Sequence, residues 1–587
     1  MRLVLHCNNI VHLSDNNIES VAKLYKDKVQ KLEMRKELVV GASVATVATL
    51  VAAGVLMVRW KKRDERRWRQ TQRILRRFAR DCATPVPKLW HVAFDLVSDM
   101  QTSLSDQSQT DFVMLPSYTS SLPNGNEEGL YYGVNLREDN FLLLSARLRG
   151  KHESITDLQR EEVDIPAEVI SGGLKELFDF IALKLAVFIS TKTKTDPIAP
   201  KGKLGFTVSF PLLEGPAAAT HKNVIRWKSF SVNDAVGKEL AHEVNEALGK
   251  HGIDLRVSAL VDATLGDLAG GRYYNRESVA AVTLGLATNA VYVESAQLSP
   301  NGGESKLGEM VIDMQWGNFN TPHLPITEFD TALDSESSNP GCRMFEKLIG
   351  GIYLGEVVRR VLLKMARETA IFGESVPSKL KTPYTLRSPD MAAMHQDTSE
   401  DRDTVHEKLL EIFGIGYTSP AVREVVAEVC DIVAERGARL AGACIVGIMK
   451  KRGRINDKKS LVIIEGGLYE HYRVFRNYLH SSVWEMLGSE LSDNVVIEHS
   501  HGGSGAGAIF VAAAHSQCEE DDAISPSFVA AAAAQTVEDD DVLRDDRKYL
   551  TATGHLNDDS DEPVEWKDGE QVDALAEISD QTDSSEE

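Results

Sequence analysis

Cysteine is scarce in this chain and poorly placed for cross-linking. The six cysteines among 587 residues stand at 7, 82, 342, 430, 444 and 518, with neither a CxxC pair nor a regular spacing. That pattern excludes a disulfide framework or a zinc site and fits a reducing compartment. Positive charge is also short: 65 Lys and Arg face 87 Asp and Glu, a net charge of -22. No basic surface for nucleic acid is expected, and no nucleic-acid contact. The acidity is local, because 23 acidic and four basic residues follow Gln517 and leave the rest close to neutral. Long apolar runs are missing too, apart from one.

That one is LVVGASVATVATLVAAGVLMV, residues 38–58, uncharged for 21 residues. At 1.5 Å per helical residue it matches a hydrocarbon core of roughly 30 Å, and a transmembrane anchor is expected. Arg59, Lys61, Lys62, Arg63, Arg66, Arg67 and Arg69 follow at once, and the more basic flank stays in the cytosol, so the main body should face it. Ala, Val, Thr and Gly dominate the span, a moderate hydrophobicity that favours an organelle membrane, the mitochondrial outer membrane first. Residues 1–37 form an extension before the anchor and 59–87 a basic juxtamembrane helix; whether translation starts at Met1 or Met34 is left open.

Further on, GLYYGVNL (129–136) and NFLLLSARLRG (140–150) flank a short polar break as a strand hairpin would. In residues 171–189, Leu174, Leu177, Phe178, Ile181, Leu185 and Phe188 recur at intervals of three and four, one inward face of a helix. KLGFTVSFPLL (203–213) returns to strand and AVGKELAHEVNEAL (235–248) to helix. A second cycle is expected to begin at LRVSALVDAT, with VAAVTLGLATNAVYVES (279–295) after it. Strands alternating with helices in two cycles predict α/β layers in two lobes around a cleft. Residues 517–587, rich in Asp, Glu, Ser and Ala, read as a disordered acidic tail, a possible site for protein partners.

The words LGFTVSFP (204–211), LAGGRYYN (268–275), WGNF (316–319), NPG (339–341), GGIYLGEVVRRVLLKMA (350–366), RGARLAGA and GGLYEHY carry a resemblance. From about Lys88 to Ser516 the chain resembles the hexokinase family, plant membrane-anchored hexokinases in particular, and most of all their non-catalytic hexokinase-like members. The resemblance implies an actin-like (ribonuclease H-like) two-lobed ATPase fold. It places a small lobe at 88–255 and a large lobe at 256–516, with the final helix free to return to the small one. It also implies ATP and Mg meeting a hexose in the cleft, and lobe closure on the sugar.

That chemistry needs a base on the sugar hydroxyl and charge stabilisation on the phosphoryl group. Against the family wording NDTVG this chain reads Asp262, Ala263, Thr264, Leu265, Gly266. Ala263 thus stands where the catalytic Asp is implied, and Asp262 where a sugar-contacting Asn is. Losing a positioned base costs typically about 10² to 10⁴ in rate. Against DLGGTNFR the first phosphate turn reads Asn135, Leu136, Arg137, Glu138, Asp139, Asn140, Phe141, without glycine and with Arg137 left to bind phosphate. Against LGTGTN the second reads LGLATN, keeping Gly285, Thr288 and Asn289. Glu465 replaces an Asp before Gly466 and Gly467 at the nucleotide end, where Gly503, Ser504 and Gly505 keep their glycines. Ser209, Lys228, Asp262, Asn289, Gln315 and Glu346 are the implied hexose contacts. The expectation is a hexokinase-like protein that is inactive or strongly impaired and serves sensing, regulation or interaction. The alternative is an active ATP-dependent enzyme phosphorylating glucose or fructose at the 6-hydroxyl.

Overall fold

The computed structural model describes residues 15–105, 109–110, 112–117, 122–137, 140–153, 155–170, 174–192, 202–208, 235–295, 309–456, 458–500 and 505–521. Of the strands, β1 (Leu115–Ser117) is a short edge piece, and β2 (Glu128–Leu136), β3 (Asn140–Arg149), β4 (Thr156–Asp164), β5 (Gly202–Val208) and β6 (Leu255–Asp262) form one sheet. A second sheet holds β7 (Ser278–Leu284), β8 (Thr288–Ser295), β9 (Glu309–Asp313), β10 (Ser460–Glu465) and β11 (Val495–His499), with β1 beside β9.

The two sheets repeat one plan. In the first, β2, β3 and β4 make an antiparallel meander, and β5 then β6 add in parallel beside β2. In the second, β7, β8 and β9 make the meander, and β10 then β11 add in parallel beside β7. This is the two-lobed α/β, actin-like arrangement. One expectation is corrected: LRVSALVD does not open the second cycle. Val208 of β5 faces Asp262 of β6, so this strand completes the first sheet, the 255/256 boundary cuts that sheet, and the second cycle begins at Ser278.

Period-two burial explains the layers. On β2, Tyr132, Val134 and Leu136 pack under Phe178, Ile181, Leu185 and Phe188 of helix Leu174–Lys192 and under helix Ala235–Lys250. Tyr131 on the opposite face joins a middle layer with Leu265, Leu268, Ile509 and Phe510. Helices Ala263–Tyr274 and Gly507–Asp521 supply that layer between the sheets, so the last helix does return to the first lobe, packing on β2 and β5. Their crossing demands glycine: a Cβ on Gly507 would stand 2.4 Å from the Gly266 carbonyl carbon, and one on Gly205 1.8 Å from the Ala508 oxygen. The outer face of the second sheet meets helices Gly351–Thr369 and Pro420–Lys451.

The first helix, Asp15–Cys82, is continuous and docks its far end through Ile74, Leu75 and Phe78, while Arg63 and Arg67 pair with Glu374. Among the described residues no helix is long and apolar enough to cross a membrane. The side chains of residues 38–50 fall outside those residues. At the other end the last helix runs to Asp521, past the start of the expected tail at 517; residues 522–587 also lie outside the described set.

Candidate functional site

The strand ends converge at the junction of the two lobes. Asp262 closes β6 and caps helix Ala263–Tyr274: with extended backbone (φ -60°, ψ 146°), its Oδ1 accepts the Thr264 amide at 2.8 Å. Short oxygen-bearing side chains are favoured at this position because they satisfy an amide that the helix leaves unpaired. Ala263 follows as the first helical residue and is buried.

From the second lobe, Asn289 on β8 places its Nδ2 3.4 Å from Asp262 Oδ1 and 2.9 Å from Asp313 Oδ1. Asp313, the last residue of β9, also accepts the Gln315 backbone amide at 3.1 Å and Gln315 Nε2 at 2.8 Å. Gln315 is held left-handed (φ 49°) by those bonds. Burial, then the Asp262 charge, pushes the Asp313 carboxyl up to about 7. Burial likewise raises Asp262, against the Thr264 and Asn289 hydrogen bonds. Glu346 closes the group: its Oε1 takes the Thr288 amide at 3.4 Å, and its Oε2 is bonded by the Arg343 guanidinium. Trp316 Nε1 donates to Thr288 Oγ1 at 2.8 Å, and that hydroxyl donates to the Thr283 carbonyl at 2.9 Å.

Four of the expected hexose contacts, Asp262, Asn289, Gln315 and Glu346, thus gather at one place. Ser209, Lys228, Gly503 and Ser504 lie outside the described residues, as do Glu138 and Asp139. Asp313 and Arg343 were missed. Asp313 was legible as an acidic residue two positions before Gln315, and Arg343 as a cation three before Glu346.

At the expected nucleotide end, Glu465 closes β10 opposite Thr283. Gly466 is left-handed (φ +114°), where a Cβ would meet the Leu284 oxygen at 2.4 Å, and Gly467 opens a short helix. Gly285 and Ala287 form a tight turn, and the Gly285 oxygen accepts the Gly351 amide at 2.9 Å. Gly505 (φ +79°) packs on Asn135, so closely that a Cβ at 505 would stand 2.8 Å from the Asn135 amide nitrogen.

Two charged side chains mark that end. Arg137, the expected phosphate ligand, lays its guanidinium 3.4 Å from Glu162 on β4. Asp267, also missed, faces Glu465 from one turn beyond Ala263. Its Oδ1 accepts Ser500 Oγ at 3.1 Å, and its buried Oδ2 has no hydrogen-bond partner among the described residues. Burial and the nearby Glu465 push this carboxyl well above the usual carboxylate range. Among the described residues no group of three or more His, Cys, Asp or Glu side chains is arranged to hold a metal ion.

Two family models, each described as Hexokinase, match residues 74–273 and 279–514. Hexokinase-1 of Spinacia oleracea is 45% identical over 499 residues, covering 83% of this chain and 100% of that one. Hexokinase-1 of Arabidopsis thaliana is 46% identical over 493 residues, covering 82% and 99%. Among solved structures, a Schistosoma mansoni hexokinase complexed with glucose superposes with a TM-score of 0.64 at 27% identity, covering 76% of this chain and 99% of that one. With both lobes matched in order and the strand ends converging as above, this chain belongs to the hexokinase family.

Proposed function

We propose that this chain is a hexokinase-family protein whose phosphoryl transfer is lost or strongly impaired, and which acts in hexose sensing, regulation or interaction at an organelle membrane. One observation carries the reading: Asp262 is engaged as a helix cap, and the next residue, where the family's base is implied, is a buried alanine. A methyl group cannot take a proton from a hydroxyl. The Arg137–Glu162 pair supports it by engaging the expected phosphate ligand, and Asp267 supports it by setting a buried acidic side chain beside Glu465 at the expected nucleotide end. Hexose binding is supported by the gathering of Asp262, Asn289, Gln315 and Glu346, and by the glucose held in the Schistosoma relative.

The membrane reading rests on the uncharged stretch 38–58 and its basic flank, with the mitochondrial outer membrane favoured. The acidic residues after 521 are proposed to bind a protein partner. Deleting 38–58 should move the chain from membrane to soluble fractions; persistence in the membrane would end that part of the proposal.

The alternative is an active ATP:D-hexose 6-phosphotransferase. What favours it is the Asp262 carboxyl, one residue from the vacancy and raised by burial toward the range of a working base. A coupled assay with glucose and with fructose decides. Turnover in the ordinary range of about 1 to 10³ per second would establish the enzyme, and absent turnover with calorimetric glucose binding would support the proposal.

A further inference from the structure

The sugar end of the cleft is bonded to itself. Asn289 gives its amide hydrogens to Asp262 and Asp313, and its oxygen accepts the Ala290 amide at 2.8 Å. Gln315 gives its amide to Asp313. Glu346, implied as a hexose acceptor, has one oxygen on the Thr288 amide and the other on Arg343. Among the described residues, Arg343 is the one cation in this group. Its backbone is left-handed (φ 54°, ψ 40°) at the start of helix Met344–Ile349, with no side-chain cap. That conformation is costly for a residue with a Cβ and persists only where its surroundings impose it. Here the reward is a guanidinium folded back onto Glu346, three residues on, with the carboxylate only 3% exposed and the arginine 15%. Gly317 makes the room: a Cβ there would stand 3.1 Å from Glu346 Oε2 and 3.5 Å from Arg343 Nη2.

We infer that Arg343 is a specificity-determining residue that occupies Glu346 in place of a sugar hydroxyl, so that a neutral hexose binds only by displacing the guanidinium. This rests on the hexose reading of the site. The physical reason is exchange: a hydroxyl is a weaker donor to a carboxylate than a paired guanidinium, and displacing the guanidinium leaves the buried Glu346 carboxylate without its cation. Relieving the pair therefore tightens hexose binding.

The test is calorimetric titration of glucose into the full chain and its variants at fixed salt. Arg343→Gln, which keeps a polar side chain but removes the charge, should bind glucose roughly ten- to hundredfold more tightly than the unaltered chain. Arg343→Lys should stay weak, because it keeps the cation. Adding Glu346→Gln to Arg343→Gln should abolish the gain, which a merely structural effect of position 343 would not produce. Thermal unfolding of each variant confirms that it is folded. If the unaltered chain binds glucose as tightly as Arg343→Gln, the inference about Arg343 fails while the hexose reading stands. If no folded variant binds glucose, both fail.

Discussion

One amide group of Asn289 bridges carboxylates from both lobes, lying 2.9 Å from Asp313 Oδ1 and 3.4 Å from Asp262 Oδ1. Two acids sharing one donor in a buried site resist ionising together, and Asp313 is pushed up to about 7. An unfolded Asp titrates near 3.9. Between about pH 4 and 7 the folded chain therefore binds the extra proton, so this group stabilises most on the acid side, and its contribution falls as pH rises through that window. Asp262 and Asp267 shift in the same direction. Asp313→Asn should flatten the decline of the urea midpoint between pH 4.5 and 7.5; an unchanged profile would show that Asp313 titrates normally.

On the proposed reading, an acid restored at position 263 should not by itself raise turnover to that of a hexokinase with a positioned base. In Ala263→Asp the new carboxylate would stand beside Asp262 and one helical turn before Asp267, an i,i+4 pair of like charge. Burial among these acids would disfavour its ionised, proton-accepting form. Glucose turnover should rise by no more than about tenfold, short of the 10² to 10⁴ a positioned base supplies. A gain across that whole span in a coupled assay would show that the phosphate end is competent as it stands.

How legible this was depended on whether a residue's partners were near in sequence. The β2–β3 hairpin and helix Leu174–Lys192 announced themselves through local apolar spacing, and the family words placed Asp262, Ala263 and Glu346. The strand Leu255–Asp262 was seen but assigned to the wrong lobe, because its parallel partner β5 lies across a long connection. Strand β4, TDLQREEVD, is mostly exposed and charged at a sheet edge, and so carries no alternating signal. Asp313, Asp267 and Arg343 escaped for one reason: an acid or cation reads as solvated until folding sets it against Asn289, Glu465 or Glu346.

The middle layer is the most substitution-sensitive part of the fold. Gly507→Ala would drive a methyl into the Gly266 backbone at 2.4 Å, where no flexible side chain can yield. The last helix must then lift from the first sheet, a cost of about 1 to 3 kcal/mol or more. The expected result is a thermal midpoint several degrees lower, with faster proteolysis within 507–521. A variant as stable as the original would mean that the two helices do not cross this closely.

A buried ion triad ties β8 to the end of helix Pro420–Lys451. Glu294 is bonded by Lys451 at 2.8 Å and Arg452 at 3.2 Å, with all three side chains under 10% exposed. Burial raises the Glu294 carboxyl, but the Lys451 hydrogen bond and the two cations outweigh it and hold the group below its usual range. Its stabilisation is therefore complete above the ordinary Glu value near 4.3 and lost as pH falls through the folded value. Glu294→Ala leaves two buried cations unpaired and should cost about 3 to 5 kcal/mol, measured by urea unfolding at pH 7. A loss under about 1 kcal/mol would show that water reaches the triad.

Asp267 offers the sharpest probe of the nucleotide end. Its unpaired Oδ2 is buried beside Glu465, and both burial and that neighbour favour the neutral acid. As pH rises through its elevated range the group ionises, and a second negative charge then faces any incoming phosphate. Two unit charges about 4 Å apart repel by roughly 4 kcal/mol at an effective dielectric of 20. Whatever affinity for Mg-ATP the chain retains should therefore weaken as pH rises, and Asp267→Asn should remove that dependence and bind more tightly at the alkaline end. Fluorescence titration with a labelled ATP analogue reads both effects. Identical profiles for the two proteins would mean that Asp267 faces away from the nucleotide.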